Sequence, residues 1–188
     1  MPLVHGCGQL DARLAVEMNR YSIRAGRLDE LATVQDIERR AARRLASVGL
    51  PAAADLPIHP MEEVRADCSH GRLLVAADEQ DRAVGFALFD LHEDEAHLRE
   101  VDVVPEHGGQ GLGRRLIQAV IARAGEARLP RLVLTTFRDV PFNAPFYARL
   151  GFRIVEETHA SPRLARIRQE ERLNGYDLAP RVAMILEL

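Results

Sequence analysis

Cysteine is scarce in this chain. Its 188 residues hold two, Cys7 and Cys68, too few for a disulfide framework. The opening run Met1-Pro2-Leu3-Val4-His5-Gly6-Cys7 lacks the basic start and the long apolar stretch of an export signal. No segment approaches the ~20 consecutive apolar residues of a membrane-spanning helix. These absences point to a reducing, cytoplasmic compartment with no membrane partner. Cys68 then reads as a small buried hydrophobe, since no His–acid pair is placed around it by motif. Neither charge sign dominates either: 25 Lys+Arg against 28 Asp+Glu leave a net charge of −3, which argues against a nucleic-acid partner. The densest basic run, Glu38-Arg39-Arg40-Ala41-Ala42-Arg43-Arg44, reads as the solvated face of a helix. His97 and His107 belong to no His/Cys/Asp cluster with metal-ligand spacing, so no metal is expected.

The length suits a single domain, large enough to bury roughly 70% of its unfolded surface. Residues 1–19 show no clear periodicity and read as an extension, with the domain spanning 20–188. A short strand over Tyr21–Ala25 precedes a helix whose apolar positions Leu31, Val34, Ile37, Ala41, Leu45 and Val48 step by three and four. Gly49 and Pro51 stop it. Pro51–Pro60 reads as a loop and Met61–Ser69 as a second helix. Three strands, Arg72–Ala77, Ala83–Leu91 and Ala96–Val104, follow through tight polar turns, which makes an antiparallel meander. A helix from Leu112 to Ala124, a strand Leu132–Thr136, a short helix Ala144–Leu150 ending at Gly151 and a strand Phe152–Glu156 come next. Residues 158–179 are polar and partly helical around Leu164–Arg172. Arg181–Leu188 is a final alternating strand. The whole is a mixed α/β layered fold.

The run Val103-Val104-Pro105-Glu106-His107-Gly108-Gly109-Gln110-Gly111-Leu112-Gly113-Arg114-Arg115 leaves a strand and opens a helix. Glycines bare the backbone N–H groups there and the helix dipole adds positive potential, so the turn suits a phosphate. Nucleotide P-loops require Gly-x-x-x-x-Gly-Lys-Ser/Thr, and here Arg114 follows Gly113. The dinucleotide fingerprint Gly-x-Gly-x-x-Gly fails because Arg114 stands third after Gly111, and it would open a parallel βαβ unit rather than follow a meander. A pyrophosphate loop for coenzyme A remains. A ligand-free turn is disfavoured by the entropy cost of four glycines in six residues.

The strand Leu98–Val103, Pro105, the Gly-x-Gly-Leu-Gly turn, and Asn143 through Tyr147-Ala148-Arg149-Leu150-Gly151-Phe152 together resemble the GNAT superfamily of acyl-CoA-dependent N-acyltransferases. The resemblance covers about Tyr21–Glu156 and extends to the closing strand. It implies a mostly antiparallel twisted sheet of about seven strands with splayed central strands, flanked by helices, and acetyl-CoA as acyl donor. The family's loop pattern, Arg/Gln-x-x-Gly-x-Gly/Ala, fits Gly111 and Gly113, whereas Gly108 stands where Arg or Gln is usual. Arg114 or Arg115 is left to supply side-chain charge, unless both are solvated. The resemblance further implies Val101, Val103, Gly108, Gly109, Gln110, Gly111, Leu112, Gly113, Arg114 and Asn143 as cofactor contacts, with backbone N–H near Val103 polarising the thioester carbonyl.

In that family the acceptor amine attacks the thioester directly, and no Ser/Cys nucleophile motif is present here. Glu100 is the candidate general base, acting through water, or else a strand glutamate paired with Arg99 or Arg131. Asp102 is an alternative base or a contact for a cationic substrate. It shares a face with Glu100 unless a bulge intervenes. Tyr147 matches the family's general acid, its phenol protonated at neutral pH, the bland alternative being a core tyrosine. Asn143 suits a helix N-cap as well as a pantetheine contact. The loop Thr135–Phe142 is expected to border the acceptor cleft, with Phe137 and Phe142 as apolar wall and Asp139 near an incoming cation. The acidic residues Glu93, Asp94, Glu95, Glu100, Asp102 and Asp139 suit a small-molecule amine or a protein amine. The alternative to an active N-acetyltransferase is a non-catalytic acyl-CoA sensor. The resemblance, with the apolar alternation of Arg181–Leu188, also implies a homodimer if that strand lies near a sheet edge.

Overall fold

The structure, a computed structural model, describes residues 20–188; the expected extension over 1–19 lies outside the described residues. Strands are β1 (Ser22–Ala25), β2 (Leu73–Ala77), β3 (Ala83–Leu91), β4 (Ala96–Val103), β5 (Arg131–Phe137), β6 (Arg153–Val155) and β7 (Arg181–Glu187). Helices are α1 (Leu31–Ala42), α2 (Pro51–Ala54), α3 (Met61–Ser69), α4 (Leu112–Glu126), α5 (Ala144–Ala148) and α6 (Pro162–Leu173). All strands join one seven-stranded sheet in the order β1-β2-β3-β4-β5-β7-β6.

β1 to β4 form the antiparallel meander that the polar turns foretell. β3 is buried at every position from Ala83 to Phe89, a pattern that requires cover on both faces of the sheet. α1 packs on β3 and β4 through Leu31, Val34 and Ile37, and α4 packs on β1 to β5 through Leu116, Ile117 and Val120. Each of these fully buried side chains contributes about 1.5–3 kcal/mol of apolar burial.

Two features open the sheet in the middle. β4 and β5 are parallel neighbours paired through Ala96↔Leu132 and His97↔Val133; past that point they diverge. In addition, the β3–β4 register slips between Leu88 and Phe89, which face Glu100 and Leu98, so Arg99 is the extra residue of a bulge. The bulge precedes Glu100, so Glu100 and Asp102 still share a face.

Several expectations need correction. The helix beginning at Leu31 tightens into a 3₁₀ turn over Arg43–Val48 before Gly49 ends it at φ 84°. Pro51–Pro60 is not wholly loop, because Pro51 opens the short helix α2, where its missing N–H costs nothing. β7 lies near the sheet edge but does not form it: it pairs with β5 along its length and with the short outer strand β6 only through Ala183–Ile185. No helix among the described residues is long and apolar enough to cross a membrane.

Candidate active site

The divergence of β4 from β5 leaves a cleft of about 1090 Å³ that runs from the glycine turn to α1 and α6. At one end, Gly109 and Gly111 take left-handed φ values of 75° and 72°, a conformation open to glycine at no steric cost. The first helical bond of α4 is Arg115 N–H to the Gly111 carbonyl, 3.1 Å, and no side chain caps the helix. The N–H groups of Leu112, Gly113 and Arg114 therefore face outward at the positive end of a 15-residue helix. Gly108, Gly109, Gly111, Leu112, Gly113 and Arg114 line the cleft, as do Val101, Val103 and Asn143; Gln110, exposed at the crest of the turn, does not. Arg115 is occupied elsewhere, donating to the Tyr21 carbonyl at 2.8 Å and fixing β1 to α4, so Arg114 is the arginine left at the mouth.

Asn143 stands at the N-cap position of α5 without capping it. Its Nδ2 donates instead to Thr136 Oγ1 at 2.7 Å, tying α5 to β5. The side chain acts as a strut that sets the helix carrying Tyr147. Tyr147 lies edge-on to Phe146 and Phe152, with centroids 5.3 and 5.6 Å away. Burial, and then the charges of Glu100 and Asp102, push its phenol well above the usual range, so the proton stays on at neutral pH.

Glu100 and Asp102 both face the cleft. Burial raises the Glu100 carboxyl, opposed by His59 and Arg181 and reinforced by Glu38. Burial also raises Asp102, with the charge of Glu100 adding to the rise. The strand-edge alternative for Glu100 fails, because Arg99 pairs with Asp67 at 2.7 Å and Arg131 with Glu95 at 3.2 Å.

Of the remaining acids expected to suit a cationic acceptor, none lines the cleft. Glu95 is fully buried and accepts from Ser161 at 2.7 Å, anchoring the start of α6 to the point where β4 and β5 part. Asp94 lies 3.7 Å from Arg131. Glu93 and Asp139 lie outside the wall. Phe137 and Phe142 do form apolar wall, each carrying a guanidinium over its ring, Arg181 at 4.6 Å and Arg44 at 4.3 Å. Cys68 is half-buried, its Sγ 3.3 Å from the Gly26 carbonyl, and burial pushes the thiol up, which suits an inert side chain.

The sequence reading missed the opposite wall: Glu38, His59, Glu171 and Arg181. Arg181 Nη2 meets Glu171 Oε1 at 2.7 Å, and Glu171 also takes Thr135 and Arg168. Glu38 could have been found, since it falls four residues after Val34 and three before Ala41, an acid on the apolar stripe of α1. Glu38, His59 and Glu100 bring one ligand atom each within 4.8 Å of one another. His59 Nδ1 is already 2.8 Å from Glu38 Oε1, so the group is a hydrogen-bonded acid–base pair with Glu100 close by, assembled from three distant segments, which no sequence spacing reveals.

A glycine turn facing two enclosed carboxylates and a protonated phenol across a split sheet defines an acyl-transfer class of site. Residues 33–152 match the Acetyltransferase (GNAT) family, and the chain belongs to that family. A mycothiol acetyltransferase from Acidothermus cellulolyticus is 35% identical over 81 residues, 43% of this chain and 24% of that protein, so the match spans about a quarter of the relative's length. Among solved structures, N-acetylglutamate synthase from Neisseria gonorrhoeae, complexed with coenzyme A and N-acetyl-glutamate, superposes with TM-score 0.67 at 18% identity, over 89% of this chain and 35% of that one. The ribosomal-protein-S18-alanine N-acetyltransferase of Escherichia coli gives TM-score 0.62 at 17% identity, over 89% and 93% of the two chains. At such identities the likeness is one of fold.

Proposed function

We propose that the protein moves an acetyl group from acetyl-CoA to a primary amine by direct attack. Glu100 takes the amine proton through water and Tyr147 returns a proton to the departing thiolate. The observation that carries this reading is the convergence of the uncapped α4 N-terminus, Glu100 and Tyr147 on the one cleft opened between β4 and β5. The pyrophosphate of the donor fits the amides of Gly109–Arg114, where negative charge is stabilised by the helix end. Its pantetheine arm would then run along Val101 and Val103 as an added edge between the splayed strands. Backbone N–H near Val103 is suited to polarise the thioester carbonyl.

The amine attacks that carbonyl, the C–N bond forms and the C–S bond breaks. The base works because burial holds its affinity for protons nearer to neutrality than an exposed carboxylate's. Enclosed acids Glu38, Glu100 and Asp102 suit a cationic acceptor, a small-molecule amine or a protein amine, in a cytoplasmic setting. Steady-state release of free CoA thiol with a panel of amines tests the reading. Turnover with at least one amine, reduced ~10²–10⁴-fold in Glu100→Gln, is the expected result. Tight acetyl-CoA binding without turnover on any amine would leave an acyl-CoA sensor instead.

A further inference from the structure

His59 sits in the segment between α2 and α3, far in sequence from the residues of the acyl-transfer machinery, yet it is clamped against them. Its main-chain N–H donates to Glu38 Oε1 and Oε2 at 3.0 and 3.3 Å. Its carbonyl accepts from Gln35 Nε2 at 2.9 Å. Its ring Nδ1 lies 2.8 Å from Glu38 Oε1. Four contacts from one helix thus fix both the backbone and the ring plane. Glu38 is itself buried at 7% exposure, and a buried carboxylate is retained only when paired. The pairing makes Nδ1 the protonated nitrogen and leaves Nε2 as the variable one.

Glu100 stands close by: one ring nitrogen of His59, one carboxylate oxygen of Glu38 and one of Glu100 all lie within 4.8 Å of one another. The groups around His59 are Glu38 on α1, Glu63 on α3, and Glu100 and Arg99 on β4; around Glu100 they are His59, Glu38, Asp102, Tyr147 and Arg181. Acids outnumber bases in this corner. Burial works to lower the imidazole, but the hydrogen bond it donates to Glu38 and the charge of Glu100 outweigh it, and the net direction is up.

We propose that His59, oriented by Glu38, is a positioning residue that supplies the positive charge keeping Glu100 ionised in the resting cleft. This rests on Glu100 being the base. Without that charge, an enclosed carboxylate beside Asp102 and Glu38 would hold its proton and could not accept one from the amine. With it, the Glu38–His59–Glu100 cluster carries one cation and two anions, and an ammonium entering next to Asp102 meets a base already charged. His59 touches no reacting atom in this scheme; it acts through Glu100.

Two measurements test the inference. The first follows the His59 Cε1–H resonance against pH by NMR, assigned by its loss in His59→Gln. In Glu100→Gln the His59 transition should move to lower pH than in the wild-type protein, since one of its two anions is gone. An unmoved transition overturns the proposal, and this arm needs no catalytic activity, so it stands apart from the acetyltransferase reading. The second is the pH profile of kcat/KM in His59→Gln, whose amide can still donate to Glu38. The activity loss should be larger at pH 6 than at pH 9, by roughly tenfold, as for a carboxylate deprived of a nearby opposite charge. A uniform loss across pH, or none, would make His59 a loop clamp only. If His59→Gln does not fold, the resonance is assigned through bonds from the His59 main-chain amide instead, and the Glu100→Gln titration then decides.

Discussion

Gly111 and Gly113 stand two residues apart in the glycine turn, and the backbone gives them opposite tolerances. Gly111 has φ 72° and a Cβ placed on it meets nothing within 4 Å. The cost of Gly111→Ala is therefore backbone conformation alone, about 1–2 kcal/mol for an L-residue in the left-handed region. Gly113 is inside the first turn of α4, where no left-handed φ is required. Its Cβ would lie 3.5 Å from Phe146 Cζ and 3.9 Å from Val101 Cγ1, ordinary van der Waals contact. Gly113→Ala should then stabilise the protein by roughly 0.5–1 kcal/mol, as alanine does over glycine within a helix. For a domain of this size 1 kcal/mol moves the melting temperature by about 2–4 °C. Thermal melts should place Gly111→Ala lower by roughly 2–8 °C and Gly113→Ala higher by about 1–4 °C. Gly111→Glu carries the same backbone strain as alanine but sets a carboxylate against the donor's pyrophosphate. Like charges brought together cost several kcal/mol, so calorimetric titration of acetyl-CoA should lose on the order of 100-fold more affinity in Gly111→Glu than in Gly111→Ala. Equal affinities in those two variants would mean that the turn holds no anion. A Gly113→Ala protein that melts below wild type would mean that α4 does not begin where described.

Further outcomes follow from the same geometry. Tyr147→Phe removes the proton donor and keeps the ring against Phe146 and Phe152; kcat should fall ~10²-fold with acetyl-CoA binding preserved by calorimetry. Glu100 and Asp102 have carboxyl groups raised by burial. A group whose affinity for protons is higher folded than unfolded stabilises the fold below its unfolded pKa and loses that contribution as pH rises through the folded value. Asp102→Asn should therefore raise the melting temperature at pH 8 and leave it unchanged near pH 3, and the reverse order would contradict the burial of this pair. Asp67 is 2% exposed and binds both Arg99 at 2.7 Å and Arg72 at 2.9 Å. Asp67→Ala should cost on the order of 3 kcal/mol in denaturant titrations, since it leaves two guanidiniums facing each other around a lost anion.

The sheet was legible in the sequence because its signals are local. The meander is spelled out by apolar runs between polar turns, and the shift to a 3.6-residue period after Gly113 marks the crossover helix. The glycine turn and Tyr147 were legible for the same reason, as both lie in short motifs. The opposite wall was not. His59 reaches Glu100 through a loop that carries no period, and Arg181 reaches Glu171 across a register fixed by strand pairing. Glu95 shows the converse error. Its run with Glu93 and Asp94 looks like a solvated acidic turn, but the first pairing of β4 and β5 buries Glu95 beneath α6, where Ser161 and Arg131 receive it. Residue type gave its charge correctly and its environment wrongly, because burial at the joint of two strands depends on a helix sixty-six residues further along.

The basic side chains add a last constraint. The sequence contains no lysine, so all 25 of its basic residues are arginines. A guanidinium stays protonated at any physiological pH and is a poor nucleophile, whereas a lysine in a desolvated pocket gives up its proton readily. The cleft wall uses Arg44, Arg99 and Arg181 to balance its acids, and a lysine at any of these places would add a competing acceptor to the cleft. Arginine gives the charge without the amine. Incubation of the protein with acetyl-CoA alone should therefore leave every side chain unmodified by peptide mass spectrometry. Arg181→Lys is the sensitive variant, because Arg181 acts electrostatically on both Glu100 and Tyr147 and the substitution sets the chain's one side-chain amine beside them. Acetylation at that position is the expected outcome. An unmodified side chain there, in a variant that still turns over an external amine, would mean that the thioester does not reach the β7 wall of the cleft and that acceptors approach from the α1 side instead.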